Sequence, residues 1–283
     1  LLLLVAVLSG CATTPSRCIA PGDNPAHHYL RGMEALELLK VDLALEKFGR
    51  ALYCEEGFSV AHSGRAIAYA MKTRTISDER YRQVEVQQAM DSLEKARDSV
   101  DSPNDRFAYQ LAVIRVNSMI KGARWLEAVE EAYQAAIEIS VDERQLDYYQ
   151  GKESATYFVG LAYLDAYEFR KAEDRFRETL AARRDGKWNE PADRAWKKTV
   201  KIVRAMGGLT VGDVGKKIAV KDGVSRGDLA ALLIDELKLD KLFGGRIPIK
   251  SSLGKMRAEF VPADIVGYFF KDEILTILKW KVR

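Results

Sequence analysis

Apolar and polar residues alternate along most of this chain with the period of an amphipathic helix. Between Asp23 and about Met206, apolar residues recur at three- and four-residue spacings, and short polar or glycine-containing turns separate the segments. The pattern predicts pairs of antiparallel helices, and four such hairpins are visible in the sequence. About three stacked hairpins suffice to bury a continuous core. We therefore expect an all-α fold, with a stable array of helical hairpins over residues 26–206.

Two of the predicted hairpins share one spacing of small and bulky residues. Gly32 and Gly160 each begin a series in which the later members follow at 12, 16 and 19 residues: Ala44, Phe48, Ala51 and Ala172, Phe176, Thr179. Small residues let two helices approach closely, and an aromatic ring fills the gap between pairs. The spacing resembles the tetratricopeptide (TPR) repeat over residues 26–59 and 153–186. This resemblance implies a solenoid whose groove binds a protein or peptide.

The middle of the predicted array departs from this spacing. After Gly64, the next small residue in phase is Ala89, which follows 25 residues later instead of 12. We expect the charged stretch 73–82 to hold the extra residues, either as a longer loop or as an extended helix. Residues 104–120 and 125–139 then predict another hairpin.

A further helix is predicted to open at Glu190-Pro191, because proline is favoured in a first helical turn. One face of this helix is basic and the opposite face is largely apolar; the basic residues are Arg194, Lys197, Lys198 and Lys201, and the residues opposite are Ala195, Thr199, Ile202 and Met206. The stripe is either the solvated outer face of a capping helix or a site for an anionic ligand.

The first residues form a compact apolar run, Leu1–Leu8, that is too short to span a bilayer and is typical of a secretory signal. The run ends in Leu8-Ser9-Gly10-Cys11, which resembles the bacterial lipobox. The resemblance implies that residues 1–10 are removed and that Cys11 is acylated. Ala12 replaces the aspartate that retains such proteins at the inner membrane, which implies the outer membrane. Because no initiator methionine or basic segment precedes Leu1, we expect the native start to lie upstream.

Residues 11–25 are expected to form a polar tether between the lipid and the helical domain. Cys18 in this tether and Cys54 in the first hairpin remain after lipidation of Cys11. An oxidising compartment would allow a disulfide between Cys18 and Cys54. Two separate thiols are the alternative, and the lack of an obvious packing partner for the tether favours them.

Gly207-Gly208 breaks the helical pattern and predicts the start of a second domain, residues 207–283. Ser225 is the expected N-cap of a helix whose third residue is Asp228, close to a capping box. Another helix is expected from Asp264 to Trp280.

These two segments resemble the S-layer homology (SLH) domain, and the small C-terminal domain is therefore expected to be mainly helical. The resemblance implies binding of peptidoglycan or cell-wall polysaccharide by Arg226, with Ser225 and Asp228 beside it. An arginine at a helix start suits this role because its planar guanidinium pairs with carboxylates. Gly227 and Asp228 replace the usual Ala and Glu of the family. Tyr268 and Phe269 stand where the family has His and Trp, and a further helix start would follow Arg283.

Composition and charge limit the range of possible functions. The chain has 283 residues, of which 47% are hydrophobic and 30% charged, so wholesale disorder is excluded. Residues 183–283 contain 22 basic and 13 acidic side chains, a net of +9, whereas the preceding part has a net charge of −6. The basic last part indicates either an anionic partner or an ordinary solvated surface.

With three His and three Cys, no phosphate-binding glycine loop and no nucleophile elbow, we expect no metal, no cofactor, no nucleic-acid partner and no enzymatic activity. The sequence as a whole predicts a non-enzymatic scaffold of the cell envelope, lipid-anchored to the outer membrane and facing the periplasm. Its expected partners are the membrane, through the N-terminal lipid, an unidentified envelope protein or peptide in the repeat groove, and a cell-wall polymer. One alternative is an accessory lipoprotein for outer-membrane protein, pilus or secretin assembly. The other is a peptidoglycan-modifying enzyme, for which no candidate acid stands in a recognisable motif.

Overall fold

The computed structural model describes residues 18, 20–208, 211–243, 247–248 and 250–281. Over this part of the chain the structure consists of helices and turns, with no β-strand. The predicted all-α class is therefore confirmed. None of the described helices is both long enough and apolar enough to cross a bilayer. The predicted signal segment and Cys11 lie outside the described residues.

The helices follow one another in close succession. Up to Ala205 they are α1 Pro25–Glu37, α2 Val41–Cys54, α3 Ser59–Lys72, α4 Glu79–Asp98, α5 Pro103–Ile120, α6 Trp125–Glu138, α7 Glu153–Asp165, α8 Phe169–Ala182 and α9 Asn189–Ala205. The later ones are α10 Asp213–Ala219, α11 Arg226–Ala231, which continues as a π-helical turn to Glu236, α12 Leu239–Leu242 and α13 Lys271–Lys279.

The chain divides into two compact units. The first contains the described residues up to Ala162 together with Asp174–Asp193, and the second contains Tyr163–Glu173 and the described residues from Arg194 onward. The domain boundary expected at Gly207-Gly208 stays a prediction.

In the first unit the helices pack as adjacent antiparallel pairs, α1 with α2, α3 with α4 and α5 with α6. Helix α2 also packs against α3, and α4 against α5, so that each pair stacks on the next. The first helices of the pairs contact one another as well, α1 with α3 and α3 with α5. They form one layer of a solenoid-like array, as the hydrophobic pattern predicted.

Phe48 on α2 joins two of these pairs. Its side chain is fully buried, and a Cβ atom added at Gly32 or at Gly64 would lie 2.4 Å from the ring. Phe176 on α8 has the same relation to Gly160, where the added Cβ would lie 2.8 Å away. The glycines are needed because each ring occupies the space that a side chain would fill.

The extra residues after Gly64 lengthen a helix. Helix α4 has 20 residues and begins at Glu79, after the N-cap Asp78, whose carboxylate accepts hydrogen bonds from two backbone N–H groups. Of the two forms that the sequence allowed, the structure has the extended helix, preceded by a turn. The first turns of α4 carry the exposed side chains of Tyr81 and Val84, whereas burial begins at Ala89.

The second unit has two small apolar clusters. One contains Ile218, Ala231 and Phe270, and the other contains Ile234, Leu253 and Trp280. The indole N–H of Trp280 donates to the carbonyl of Pro248 at 3.0 Å.

The continuous helix expected from Asp264 to Trp280 is wrong in its first half. The structure has a 3₁₀ turn at Ala263–Ile265, and α13 begins only at Lys271. Phe270 is buried in an apolar cluster against which Tyr268 also packs. Residues two apart do not share a face of an α-helix, so a helix there would separate these two rings.

Candidate functional site

Cys18 and Cys54 are joined in a disulfide, with their Cα atoms 5.4 Å apart. The separate thiols that the sequence favoured are therefore not what the structure has. The segment before α1 packs against the end of α2, and this contact brings the two sulfurs together. Cys18 itself is buried.

A charged cluster lies beside this bond. Asp23 accepts hydrogen bonds from Arg50 on α2 and pairs with the Nε2 atom of His28 at 2.8 Å. The bonds from Arg50 and then His28 lower the pKa of Asp23 to about 2. Among the described residues, the two sulfurs and the Asp23 carboxylate are the group that could hold a metal, since they lie within 4.8 Å of one another. Joined to each other, the sulfurs are not the thiolates that bind metals.

The loop between α6 and α7, residues 139–152, returns across the layer formed by α1, α3 and α5. It is fastened at one end by Asn104, whose amide group exchanges two hydrogen bonds with the backbone of Asp142. At the other end the indole of Trp188 donates to the carbonyl of Tyr149 at 2.7 Å. Tyr148 and Tyr149 at the end of this loop are buried.

The rings brought together in this way form an aromatic cluster; its members are Tyr29, Tyr148, Tyr149, Tyr157, Phe158 and Trp188. Cations lie over three of its rings. The guanidinium of Arg115 lies 4.7 Å from the centre of Phe158, and the ammonium of Lys187 lies 3.7 Å from the centre of Tyr148 and 5.2 Å from that of Trp188. Lys187 also pairs with Glu37 at 2.6 Å. The aromatic cluster therefore joins the α6–α7 loop to α1, α5 and α7.

A cavity of about 190 Å³ remains at the edge of the aromatic cluster. Its lining combines the rings of Tyr29, Phe58 and Tyr148 with the carboxyl groups of Asp105 and Asp147. Burial, and then a hydrogen bond with Asp101, raises the pKa of Asp105 to about 6. Aromatic faces and carboxylates both attract cations, so this cavity suits a basic group.

In the second unit, the predicted capping box is confirmed. The backbone N–H of Asp228 donates to the Ser225 hydroxyl at 3.1 Å, and the backbone N–H of Ser225 donates to the Asp228 carboxylate at 3.0 Å. The carboxylate also accepts bonds from the ammonium of Lys221 and from the hydroxyl of Tyr268. Burial alone raises the pKa of this carboxyl, but the bonds from Lys221 and Ser225 outweigh it and lower the pKa to about 2.

Arg226 and Asp228 thus differ in their surroundings. Asp228 is almost fully buried, and its bonds hold the start of α11 in place. Arg226 is exposed and forms no hydrogen bond or ion pair with the residues that the structure describes. Gly227 lies against Tyr268, because an added Cβ would be 2.5 Å from the tyrosine ring. A side chain at position 227 would therefore displace the tyrosine ring.

A groove of about 600 Å³ lies beside the start of α11. Its lining is mainly apolar and comes from α11, the segment around Pro262 and α13; it includes Leu229, Leu233, Phe260, Ile265, Ile274 and Ile277. The polar lining residues are Ser225, Arg226, Asp264 and Tyr268.

The predicted faces of α9 are present. Ala192 and Thr199 are fully buried and Ile202 nearly so, whereas Arg194 and Lys201 are exposed. One member of the basic stripe, Lys198, pairs with Asp222 at 2.6 Å.

Several residues of these sites were missed in the sequence. Lys221 precedes α11 by more than a helical turn, and nothing in the local pattern pairs it with Asp228. Tyr268 was noted only as a departure from a family pattern. Arg115 lies within a predicted helix and Trp188 lies just before one, and the contacts that unite them come from distant segments.

Comparison with known proteins does not assign this chain to a family. No family model, curated protein or solved structure matches it.

Proposed function

We propose that this protein is a lipid-anchored scaffold of the cell envelope that binds a protein partner through its helical array and a cell-wall polymer through Arg226. The location rests on the apolar run ending in Cys11 and, above all, on the disulfide between Cys18 and Cys54. Disulfides persist in oxidising compartments outside the cytosol. The disulfide is the single observation that carries the proposal.

The helical array supports the scaffold role. Stacked hairpins with glycines against Phe48 are the packing that the TPR resemblance implies, and such arrays commonly serve as binding surfaces. The 190 Å³ cavity at the edge of the aromatic cluster is the place for a partner's side chain. Asp105 and Asp147 in its lining favour lysine or arginine there.

A photo-crosslinking amino acid at Val60, which lines this cavity, tests the partner site in intact cells. The matched control carries the same amino acid at Tyr53, which is exposed on α2 and does not line the cavity. We expect a crosslinked envelope protein from position 60 but not from position 53, and its loss when Asp105 is replaced by lysine. Identical products from both positions would argue against a cavity-specific partner. An assembly factor for outer-membrane proteins, pili or secretins as the captured protein would favour the accessory role.

The role of Arg226 is tested with the full chain and isolated peptidoglycan. Arg226 is exposed and has no partner among the described residues, so it is available to pair with carboxylates of the polymer. Arg226→Ala should reduce co-sedimentation with peptidoglycan, whereas Arg257→Ala, at another exposed arginine of the second unit, should not. Equal retention of both variants would remove the role of Arg226.

Lipid attachment is tested by metabolic labelling with palmitate. The wild-type chain should be labelled and Cys11→Ser should not. An unlabelled wild-type chain, or one found in the cytosol, would refute the envelope proposal.

A further inference from the structure

The groove beside α11 needs an occupant whose chemistry matches its lining. A volume of about 600 Å³ is in the range of small-molecule and lipid sites in proteins. Leu229 and Phe260 line it and remain 51% and 69% exposed. Apolar side chains exposed together at a groove mark a surface that is covered when the protein acts.

The lining of the groove disfavours a sugar or an extended peptide as its occupant, because much of it offers no free polar group. The hydroxyl of Tyr268 already bonds to Ser225 at 2.7 Å and to Asp228 at 3.3 Å. Leu233, Ile274 and Ile277 present only carbon atoms. Along these three side chains a sugar or an extended peptide would lose hydrogen bonds to water, and it could regain them only near Arg226 and Asp264.

An α-helix satisfies the hydrogen bonds of its own backbone, but it is too wide for a groove of this volume. A helix is about 10 Å across, so a groove of this volume would hold only about five residues of it. A flexible hydrocarbon chain has no polar groups to satisfy and follows an irregular groove.

The charges beside the groove indicate the chemistry of the ligand's head group. The guanidinium of Arg226 lines the groove, is exposed and has no ion-pair partner within the described part of the chain. The ammonium of Lys217 lies 4.6 Å from the ring of Phe269, a phenylalanine that is 74% exposed and follows Tyr268. Basic residues among exposed aromatic and aliphatic ones are typical of surfaces that bind anionic bilayers. Asp264 is the one carboxylate among the lining residues.

We infer that the second unit binds the surface of an anionic bilayer, with one acyl chain of a phospholipid in the groove and its phosphate against Arg226. This contact goes beyond the proposed function and does not require the lipid on Cys11. Because it uses the guanidinium proposed for the polymer, phospholipid and polymer would compete for Arg226. It would place the rim formed by Leu229 and Phe260 at the depth of the head groups, where apolar side chains leave water.

Vesicle co-sedimentation with the full chain carrying Cys11→Ser tests the inference. Binding to phosphatidylglycerol vesicles should be at least tenfold stronger than to phosphatidylcholine vesicles. Leu229→Glu and Phe260→Glu should each weaken binding tenfold or more. The matched control is Leu242→Glu, a change at a leucine that is 67% exposed in the same unit but does not line the groove, and it should bind within twofold of the parent. Equal effects of Leu229→Glu and Leu242→Glu would overturn the inference.

Two further variants separate insertion into the groove from adsorption to the rim. Leu233→Trp fills the groove and should weaken vesicle binding tenfold, with circular dichroism and melting checking that the fold is kept. Binding unaffected by a folded Leu233→Trp would overturn the acyl-chain site. Arg226→Gln should lower the preference for phosphatidylglycerol, and Asp264→Asn should raise it. Because Leu229 and Phe260 have no part in the proposed polymer contact, their variants should still co-sediment with peptidoglycan.

Discussion

At the scale of single residues, Phe48 occupies space that glycines on two other helices leave open. The ring is fully buried, and a methyl group at either glycine would overlap it. Asp228 is a second residue whose position depends on several neighbours, because Ser225, Lys221 and Tyr268 all bond to its carboxylate. Each of the two residues gives a prediction with a matched control.

Gly64→Ala should destabilise the first unit by about 1–3 kcal/mol, because its methyl group must displace the buried ring of Phe48. Gly49→Ala is the control, since Gly49 is exposed within α2 and an added Cβ there has no atom within 4 Å. It should stabilise by about 0.5–1 kcal/mol through the better helix propensity of alanine. Urea unfolding measures both variants, and a neutral Gly64→Ala would show that Phe48 has room to move.

Asp228→Asn should destabilise the second unit by about 0.5–2 kcal/mol at neutral pH, because asparagine weakens the capping box with Ser225 and loses the charge that pairs with Lys221. The folded pKa of about 2 is below the unfolded value near 3.9. The stability due to this carboxylate is therefore present above pH 4 and lost as the pH falls towards 2. Melting temperatures of wild type and variant should converge over that interval. Asp222→Asn, at an exposed ion pair, should change little at any pH.

At the scale of elements, the α6–α7 loop is the part of the first unit that departs most from a simple array of helical hairpins. It carries the rings of Tyr148 and Tyr149 over α1, α5 and α7, and it is held by Asn104 and Trp188. A short 3₁₀ turn is its one helical element. The conformation of the α6–α7 loop therefore depends on tertiary contacts.

Trp188→Ala should therefore release the α6–α7 loop. Removing a buried tryptophan costs about 3–5 kcal/mol, and this one packs against four rings of the aromatic cluster. Trypsin should cut the variant faster at Arg144 and Lys152, while cleavage within α2 and α3 stays slow. Trp188→Phe keeps an aromatic ring and loses the hydrogen bond to Tyr149, so its cleavage rate should be intermediate. Unchanged cleavage of Trp188→Ala would mean that Asn104 alone fixes the loop.

The sequence predicted the elements that depend on local pattern. The hairpins could be predicted from helical periodicity and from the 16-residue spacing between Gly32 and Phe48 in the sequence. The cap of α11 could be predicted from Ser225 and Asp228. The path of the α6–α7 loop could not be predicted, because aromatic contacts between distant segments leave no period in the sequence. The start of α13 was missed for a similar reason, since Tyr268 and Phe270 pack together only in the folded second unit.

At the scale of the whole molecule, the disulfide links the segment before α1 to the end of α2 across 36 residues. A loop of that length corresponds to about 3–4 kcal/mol in the chain-entropy account of disulfides. The sequence offered this bond and separate thiols as alternatives, because the contact that brings the sulfurs together is tertiary. The bond also agrees with the proposed extracytoplasmic location.

Reduction, or the Cys18→Ser, Cys54→Ser double variant, should lower the free energy of unfolding of the first unit by about that amount. Urea unfolding with and without dithiothreitol measures the loss, and the double variant should not respond to dithiothreitol. An equal response of wild type and double variant would show that the reductant acts elsewhere.

The same bond would also set how far the folded body can stand from the membrane. Cys18 follows Cys11 by seven residues, so a lipid on Cys11 would keep Cys18 within about 25 Å of the head groups, even with the chain fully extended. Without the disulfide, the first fixed point would be Asp23, which Arg50 and His28 hold, twelve residues from the lipid and within about 42 Å. Oxidation would thus shorten the reach of the tether by about 17 Å and bring the binding surfaces of the protein down towards the bilayer.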